Sequence, residues 1–344
     1  MVLQTIPATV RAPHFVGNGQ IDVIEQRVPE PGVGQLLIEV KANALCASER
    51  RQFLQGSSVT PGHEAAGVVV AAGPGTRVAV GTPGVVYLMD FCGACRSCRS
   101  GDTNQCLQKR GDMGFTKDGG YGMYEVVHEN IFFPVDADLS LTEATLLLDV
   151  MGTTSHAIRR ARLVRPDIES VLVMGAGPVG LGVVALATLM LGADIPVLVA
   201  DIVPYRLALA ERLGGQPIHL GETNVTAAVR DRGPGSVDVA IDTSGKAVAR
   251  RAALDVVSKR GALVCVGHGE DLTLAVSSDL IAPERAVLGS EYFRYDELAT
   301  NLDLLRAHRA YLAQIITHRF AVGDLQRAFA VFWGRETGKV VIEQ

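Results

Sequence analysis

The hydrophobic pattern changes character along the chain. Before residue 150, short apolar runs such as 35–40 and 67–70 alternate with Gly-Pro turn signals, which predicts a β-rich region. Over 141–162, apolar residues and Arg recur at helical spacing. Beyond this point short apolar runs alternate with helical patterns, which is typical of a doubly wound parallel sheet. The predicted strands are 171–174, 196–201, 237–242 and 262–266, and the predicted helices are 181–191, 205–213 and 247–259.

One uncharged stretch, 171–193, is long enough to suggest a membrane span. Its glycines divide it into a short strand, a tight turn and a helix. Strands of a parallel sheet are covered on both faces and therefore form unbroken apolar runs. We expect no membrane partner.

Composition is that of a globular protein. Of the 344 residues, 48% are hydrophobic and 20% are charged, which suits a large core and two domains. The net charge is −5 and basic clusters are missing, which argues against a nucleic-acid partner. The N-terminus has no charged region followed by an apolar run, so we expect no signal peptide.

A glycine-rich turn predicts a dinucleotide site. Gly175, Gly177 and Gly180 form G-x-G-x-x-G between a predicted strand and a predicted helix, with Pro178 and Val179 inside the motif. The first glycine permits the turn, the second admits a pyrophosphate close to the backbone, and the third lets the helix pack on the strand. The anion then meets free N–H groups at the helix N-terminus.

The next predicted strand ends in Asp201, where a carboxylate can accept hydrogen bonds from the adenosine ribose. Because a carboxylate repels a 2′-phosphate, this residue favours NAD over NADP. A capping or loop role for Asp201 is the alternative. Arg206 lies either near the adenosine or on the surface of the following helix.

The chain has six cysteines, and four of them are closely spaced. Cys92, Cys95, Cys98 and Cys106 form C-x2-C-x2-C-x7-C, and four thiolates saturate a tetrahedral zinc. A nucleic-acid-binding zinc module fits poorly, because the spacing is not that of two separated knuckles. Thiols used as ligands indicate a reducing compartment, so we expect a cytoplasmic protein without disulfides. Cys265 is interpreted as a core thiol.

A second metal site is indicated by Cys46 and by the tripeptide 62–64, which contains His63 and Glu64. A thiolate and an imidazole on separate segments can form a mixed ligand set with an open position, and such a zinc acts as a Lewis acid. A buried thiol and a core histidine are the structural alternatives.

Further motifs accompany these sites. They are Cys46-Ala-Ser48, Pro61-Gly-His-Glu-Ala-Ala-Gly67, the four-cysteine segment, Gly119-Gly-Tyr-Gly122, the glycine turn through Asp201, and Gly338-Lys-Val-Val341. Together they resemble the zinc-dependent medium-chain alcohol dehydrogenase family, which includes polyol, sorbitol and threonine dehydrogenases, and the resemblance covers nearly the whole chain. It implies an α/β fold with a GroES-like catalytic domain (1–151 and 290–344), an inserted Rossmann NAD-binding domain (152–289), and an active site in the cleft between them.

The resemblance also implies a ligand set. Cys46 and His63 stand where the family has its first two ligands to the catalytic zinc. The third varies among Cys, Glu and Asp in the family, and here Asp149 stands at that place, seven residues before His156. A helix cap is the alternative role for Asp149. Glu64 is expected to take the fourth position transiently or to orient a ligand.

The implied chemistry is hydride transfer. Zinc lowers the pKa of a substrate hydroxyl, hydride passes to C4 of the nicotinamide, and Ser48 relays the proton. Thr153 matches a position that packs against the nicotinamide. Phe293-Arg294-Tyr295 resembles a stretch lining the polyol pocket of sorbitol dehydrogenases, displaced by two residues. Arg294 and Tyr295 are therefore predicted substrate residues. Glu291 is a third, because an acid in the pocket would suit an amino-bearing substrate, and an exposed loop position is its alternative.

We therefore expect a zinc-dependent oxidoreductase with two zinc ions per subunit, one catalytic and one structural. It would transfer hydride between NAD and a secondary alcohol of a polyol, sugar or aminocyclitol. The alternatives are a ketone or aldehyde reductase working in reverse and a non-catalytic NAD-binding redox sensor. A zinc-free enoyl or quinone reductase is disfavoured, because those relatives lack both cysteine sets. The resemblance also implies a homodimer or homotetramer.

Overall fold

Two large sheets form the frame of the protein. The computed structural model describes residues 6–232 and 235–344. Residues 1–5, on which the expectation of no signal peptide partly rests, lie outside the described residues. One large sheet is mixed and has seven strands, and the other has six strands, all parallel. This arrangement confirms the predicted α/β fold class, with a β-rich part and a doubly wound part.

The strands are distributed over the whole chain. In chain order they are β1 (Thr9–Gly17), β2 (Gln20–Arg27), β3 (Gln35–Ala44), β4 (Ala65–Ala72), β5 (Pro83–Val86), β6 (Met89–Asp90), β7 (Gly111–Asp112), β8 (Tyr124–His128), β9 (Phe132–Pro134), β10 (Val171–Met174), β11 (Val197–Asp201), β12 (Gln216–His219), β13 (Val237–Asp242), β14 (Val257–Cys265), β15 (Ala286–Gly289), β16 (Ile316–Ala321) and β17 (Lys339–Glu343).

The mixed sheet joins both ends of the chain. Its order is β16-β17-β3-β4-β5-β9, and β8 also pairs with β3. β17 lies antiparallel to β3, with Val341 opposite Ala44. The C-terminal strand therefore completes the sheet whose edge carries Cys46 and His63, the predicted first metal ligands. β1 with β2 and β6 with β7 form two small antiparallel pairs.

The parallel sheet has the order β12-β11-β10-β13-β14-β15. This is the strand order of a dinucleotide-binding fold, with the crevice at the carboxyl ends of the first and fourth strands. β10 and β13 are buried along their whole length, because helices cover both faces of the sheet. The strand predicted over 262–266 begins earlier than expected, because β14 starts at Val257. The helix predicted over 247–259 is correspondingly shorter and ends at Val256.

The helices are mostly short. In chain order they are α1 (Arg50–Gln55), α2 (Arg96–Arg99), α3 (Leu141–Ala144), α4 (Thr154–Arg162), α5 (Pro178–Leu191), α6 (Pro204–Arg212), α7 (Val225–Asp231), α8 (Ala247–Val256), α9 (Glu297–Ala307), α10 (Arg309–Leu312) and α11 (Leu325–Trp333). Within the two described ranges, no helix combines the length and the apolar character that crossing a membrane requires.

The helical run predicted over 141–162 is interrupted. Between α3 and α4 the chain forms a 3-10 turn and then a π-helical turn, Asp149–Thr153. π-helical turns occur mostly at functional sites. A methyl group on Gly182 of α5 would collide with the carbonyl oxygen of Val150, so glycine is needed for α5 to pack against this turn. The turn that carries Asp149 therefore packs directly on α5, the helix that follows the glycine turn.

Candidate active site

Four side chains that can ligate a metal meet at the edge of the mixed sheet. Cys46 follows β3, His63 and Glu64 precede β4, and Asp149 opens the π-helical turn. One ligand atom from each lies within 4.8 Å of all the others. His63, Glu64 and Asp149 are buried, and Cys46 is partly exposed. The structure therefore brings together the three residues predicted to ligate the catalytic zinc and the glutamate predicted to assist them.

The imidazole of His63 is held between two carboxylates. Its Nδ1 lies 3.0 Å from Glu49 Oε1, and its Nε2 lies 3.2 Å from Asp149 Oδ2. Tyr121 donates its hydroxyl hydrogen to the other oxygen of Glu49 at 2.9 Å. Although burial opposes charge, hydrogen bonds to Asp149, Cys46 and Glu49 raise the pKa of His63 well above its usual value. With Nδ1 donating to Glu49, loss of the Nε2 proton to a metal would leave the Nε2 lone pair directed at the cluster, as in many histidine ligands of zinc.

Glu64 forms an ion pair with Lys339 of β17, and both side chains are fully buried. Burial, opposed by Lys339, raises the pKa of Glu64 to about 8. Its second oxygen, Oε2, is buried and has no hydrogen-bond partner among the described residues. A thiol, an imidazole and two carboxylates, one with an unpartnered oxygen, suit a divalent zinc. The residues therefore fit a catalytic zinc ion.

The four-cysteine segment is also arranged for a metal. The sulfur of Cys98 lies 3.5 Å from that of Cys95 and 3.9 Å from that of Cys92, and Cys95 lies 3.9 Å from Cys106. Four sulfurs placed about 2.3 Å from a tetrahedral zinc are about 3.8 Å apart. Backbone N–H groups donate to the sulfurs of Cys92 and Cys95 and lower the pKa of both thiols. This segment fits a closed, structural zinc site.

A cavity of about 480 Å³ separates the metal-ligand cluster from the parallel sheet. It is lined on one side by Cys46, Ser48, His63, Asp149 and Thr153, and on the other by Val179, Thr243, Ser244 and 266–268. Thr153 donates a hydrogen bond to Asp149 Oδ1 at 3.2 Å. The predicted proton relay Ser48 and the predicted nicotinamide contact Thr153 therefore share one cavity with the ligands.

The glycine turn opens into the same crevice. Gly175 has φ +95°, a conformation that glycine adopts without strain, and a side chain on Gly180 would collide with the carbonyl oxygen of Gly175. α5 begins at Pro178, with Gly177 at its N-cap. The turn therefore places free N–H groups at the mouth of the crevice, where a pyrophosphate would bind.

Asp201 lies at the carboxyl end of β11, beside the glycine turn. Its carboxylate accepts hydrogen bonds from the N–H groups of Ala176 at 2.6 Å, Ile202 at 2.7 Å and Val203 at 2.8 Å. Arg206 donates from Nε to Thr337 O at 3.2 Å, and its Nη1 approaches Gly177. Burial lowers the pKa of Arg206, and Asp201 opposes this shift. Arg206 therefore belongs to the glycine-turn region and is not confined to a helix surface.

Comparison with known proteins agrees with this geometry. Residues 32–137 match the family described as "Alcohol dehydrogenase GroES-like domain", and residues 178–307 match "Zinc-binding dehydrogenase". The uncharacterized zinc-type alcohol dehydrogenase-like protein YphC of Escherichia coli K12 is 30% identical, over 97% of this chain and 98% of its own. This chain belongs to the zinc-dependent medium-chain alcohol dehydrogenase family.

Two further matches were found, one to a sequence and one to a solved structure. L-threonine 3-dehydrogenase of Coxiella burnetii is 31% identical, over 91% of this chain and 93% of its own. The alcohol dehydrogenase TADH from Thermus sp. ATN1 superimposes with a TM-score of 0.88 over 97% of this chain and 99% of its own, at 24% identity. The second match shows the shared fold alone.

The three predicted substrate residues lie in different surroundings, and only one of them lines the cavity. Glu291 lines the cavity, and its Oε2 lies 3.1 Å from His268 Nε2. Arg294 and Tyr295 do not line it, which corrects their prediction. Arg294 pairs with Asp296 at 2.9 Å, next to the four-cysteine segment.

Tyr295 donates its hydroxyl hydrogen to Phe132 O at 2.7 Å and packs on Tyr87, Phe91 and Phe133. The two-residue displacement noted in the sequence carries Arg294 and Tyr295 past the cavity. Tyr292 takes the position at the cavity wall instead.

Several residues at the site were missed by the sequence prediction. Glu49 and Lys339 act through their contacts with His63 and Glu64, and Phe115 and Tyr292 line the cavity. A lysine inside the apolar run 338–342 was a usable signal, because a buried lysine needs a partner. The sequence has no comparable signal for Glu49. Its role depends on the contact between the turn before α1, which carries Glu49, and the segment before β4, which carries His63.

Proposed function

We propose that this protein is an NAD-dependent zinc oxidoreductase that transfers hydride between NAD and a secondary alcohol of a polar substrate. One observation carries the proposal. The cavity beside Cys46, His63 and Asp149 is closed on its other side by Val179 and Thr243 at the carboxyl ends of the parallel strands. A substrate bound there would lie between the metal ligands and the nicotinamide.

The roles of the residues follow from their positions. Cys46, His63 and Asp149 would hold the catalytic zinc, which supplies Lewis-acid polarisation of the substrate oxygen when bound. Ser48 lines the cavity and would accept the substrate proton. Thr153, fixed by Asp149, would keep the nicotinamide ring against the cavity wall. The Glu49 carboxylate would keep His63 in the tautomer that presents Nε2 to the metal.

NAD is proposed over NADP because of Asp201. A carboxylate at the end of the second strand of the nucleotide fold can accept the ribose hydroxyls and repels a 2′-phosphate. Arg206 would favour a 2′-phosphate, but Asp201 lies closer to the turn, since it bonds directly to Ala176 N. The balance of charge at this position therefore supports NAD.

The substrate class is proposed from the cavity lining. Ser48, Asp112, Ser290, Glu291 and Tyr292 offer polar groups within it. Hydroxyl or amino groups of a substrate would pair with these groups, whereas an aliphatic alcohol would leave them unpaired. This supports a polyol, a sugar or an aminocyclitol. The Coxiella relative is named for L-threonine, which is also a polar secondary alcohol.

The experiment measures NADH formation with a panel of polyols, sugars, aminocyclitols, L-threonine and simple alcohols, repeated with NADP. Turnover of one polar class with NAD is expected. Asp149→Ala should abolish turnover and lower the zinc content from two ions per chain to one. The exposed-acid variant Asp194→Ala serves as the control and should change neither quantity. If none of these alcohols and none of the matching ketones with NADH reacts, the proposal is overturned.

A further inference from the structure

Tyr292 has an unusual backbone conformation at the cavity wall. Its φ is +46°, in the left-handed region that side chains with a bulky Cβ group rarely adopt. Such strained residues persist only where the surrounding structure holds them, and they cluster at binding sites. The inference from this outlier is functional, because Tyr292 lines the same cavity as His63 and Asp149.

The segment around Tyr292 is anchored on both sides. Before it, Asn104 donates from Nδ2 to the carbonyl of Glu291 at 2.8 Å. After it, Tyr87 donates its hydroxyl hydrogen to the carbonyl of Phe293. Asn104 comes from the four-cysteine segment and Tyr87 directly follows β5 of the mixed sheet, and both are buried. These contacts hold the two carbonyl groups that flank Tyr292.

Phe293 explains why the strain is needed. Its ring is fully buried, packs edge-on against Tyr87 at 5.1 Å, and lies where a side chain on Gly152 would be. The ring is therefore wedged against the π-helical turn that begins with Asp149. The left-handed conformation of Tyr292 lets Phe293 enter the core while the tyrosine itself faces the cavity.

The Tyr292 hydroxyl differs from those of four other tyrosines that are buried or half-buried. Tyr87, Tyr121, Tyr295 and Tyr311 each donate a hydrogen bond to a protein oxygen. Within 6–232 and 235–344, no residue makes such a bond with the Tyr292 hydroxyl. A phenol placed at a cavity wall without a protein partner is available to a ligand.

We propose that Tyr292 is a specificity-determining residue whose hydroxyl binds a polar group next to the reacting carbon of the substrate, and that Asn104 is its positioning residue. This inference rests on the proposed function, since it assigns the selectivity of that same site. The proposal also means that the four-cysteine segment contributes to the active site of its own subunit, because Asn104 lies between Cys98 and Cys106.

The test compares 2,3-butanediol with 2-butanol, which differ by one hydroxyl beside the reacting carbon. In Tyr292→Phe, the ratio of kcat/KM for the diol to kcat/KM for 2-butanol should fall about five- to tenfold, the range for loss of one hydrogen bond. Tyr311→Phe is the matched control, because it removes a hydroxyl bonded to Leu213 O, far from the cavity. The control should leave the diol preference unchanged.

Asn104→Ala tests the positioning role. It should raise KM for the diol with little change in kcat or in KM for NAD. In the Tyr292→Phe background it should lower the diol preference no further, because both changes act through one contact. Asn301→Ala, which removes another buried amide, should not alter the preference.

The outcomes separate the two proposals. Turnover without a diol preference in the wild type, or an unchanged preference in Tyr292→Phe, overturns the inference and leaves the proposed function standing. Additive effects of Asn104→Ala and Tyr292→Phe overturn the positioning role. If the wild type oxidises no alcohol of the panel and reduces no matching ketone, the proposed function falls and the inference falls with it.

Discussion

Lys339 and Glu64 form an ion pair between two fully buried side chains, beside the metal-ligand cluster. Lys339 belongs to β17, and Glu64 follows His63. The pair therefore ties the C-terminal strand to the segment that carries His63, which we propose as a metal ligand. It also leaves Glu64 Oε2 without a partner among the described residues.

Removal of Lys339 should be destabilising. In Lys339→Met the buried Glu64 loses its cation and takes up a proton, because burial already raises its pKa to about 8. The cost therefore lies below the value of about 3–5 kcal/mol for an uncompensated buried charge. Urea unfolding of the zinc-loaded protein measures the loss. The double variant Lys339→Met with Glu64→Leu should recover much of it, because it leaves no unpaired polar group. A single variant as stable as the wild type would contradict this account.

Glu49 should control retention of the catalytic metal. In Glu49→Gln the acceptor for His63 Nδ1 loses its charge, and substitutions of such partners weaken metal binding by about 10–100-fold. Competition with a chelator, followed by metal analysis, measures the change. The four-cysteine site is an internal control and should keep its zinc. The exposed Glu30→Gln should behave as the wild type, and equal zinc loss from both sites in Glu49→Gln would argue for general unfolding.

Glu125 should make stability depend on pH. It is buried, neither of its oxygens has a hydrogen-bond partner in the described part of the chain, and burial followed by the Asp118 charge raises its pKa well above the usual value. In the unfolded chain it ionises above pH about 4.3, while the folded protein keeps the proton. The unfolded state is therefore favoured progressively as pH rises above that value.

The measurement for Glu125 is urea unfolding across neutral pH. The free energy of unfolding of the wild type should fall with rising pH relative to Glu125→Gln, whose amide does not titrate. The difference between the two proteins removes contributions from all other groups. If the free energies of unfolding of the two proteins changed with pH in the same way, Glu125 would not be protonated in the folded protein.

Asp201 should set the cofactor preference. Asp201→Ser removes the charge that opposes a 2′-phosphate and leaves Arg206 nearby to attract it. KM for NAD should rise about tenfold, as expected for about 1.4 kcal/mol of lost binding, and KM for NADP should fall. Steady-state kinetics with both cofactors measures the ratio. Asp194→Ser, at an exposed position, should leave it unchanged.

Local signals in the sequence predicted the parts of the site that lie on single segments. The glycine turn and the four cysteines are each contained in one short stretch, so spacing alone indicates their chemistry. Asp149 could be proposed only through the family resemblance, since an isolated acid at a helix start has no specific pattern. Hydrophobic periodicity over 141–162 could not reveal the π-helical turn, because one inserted residue barely alters the spacing of apolar positions.

Other features depend on contacts between distant segments. The pairing of Lys339 with Glu64 requires β17 to pair with β3. No local sequence pattern in either strand predicts that pairing. The presence of Tyr292 at the cavity wall, where Arg294 and Tyr295 were predicted, has a similar origin. A positive φ at Tyr292 shifts which side chains face the cavity, and only the anchors from Asn104 and Tyr87 make that conformation stable.

The crossing of Gly182 over Val150 has a consequence for the reaction distance. α5 begins at the glycine turn, where the proposed function places the cofactor phosphates, and Val150 directly follows Asp149. The contact between Gly182 and Val150 therefore sets the distance between the proposed cofactor site and the metal-ligand cluster. Under the proposed function, a larger residue at 182 would move the nicotinamide away from the substrate carbon, and displacements of about 1 Å can slow a positioned reaction about a hundredfold. A glycine remote from the chemistry would then control the distance over which hydride is transferred.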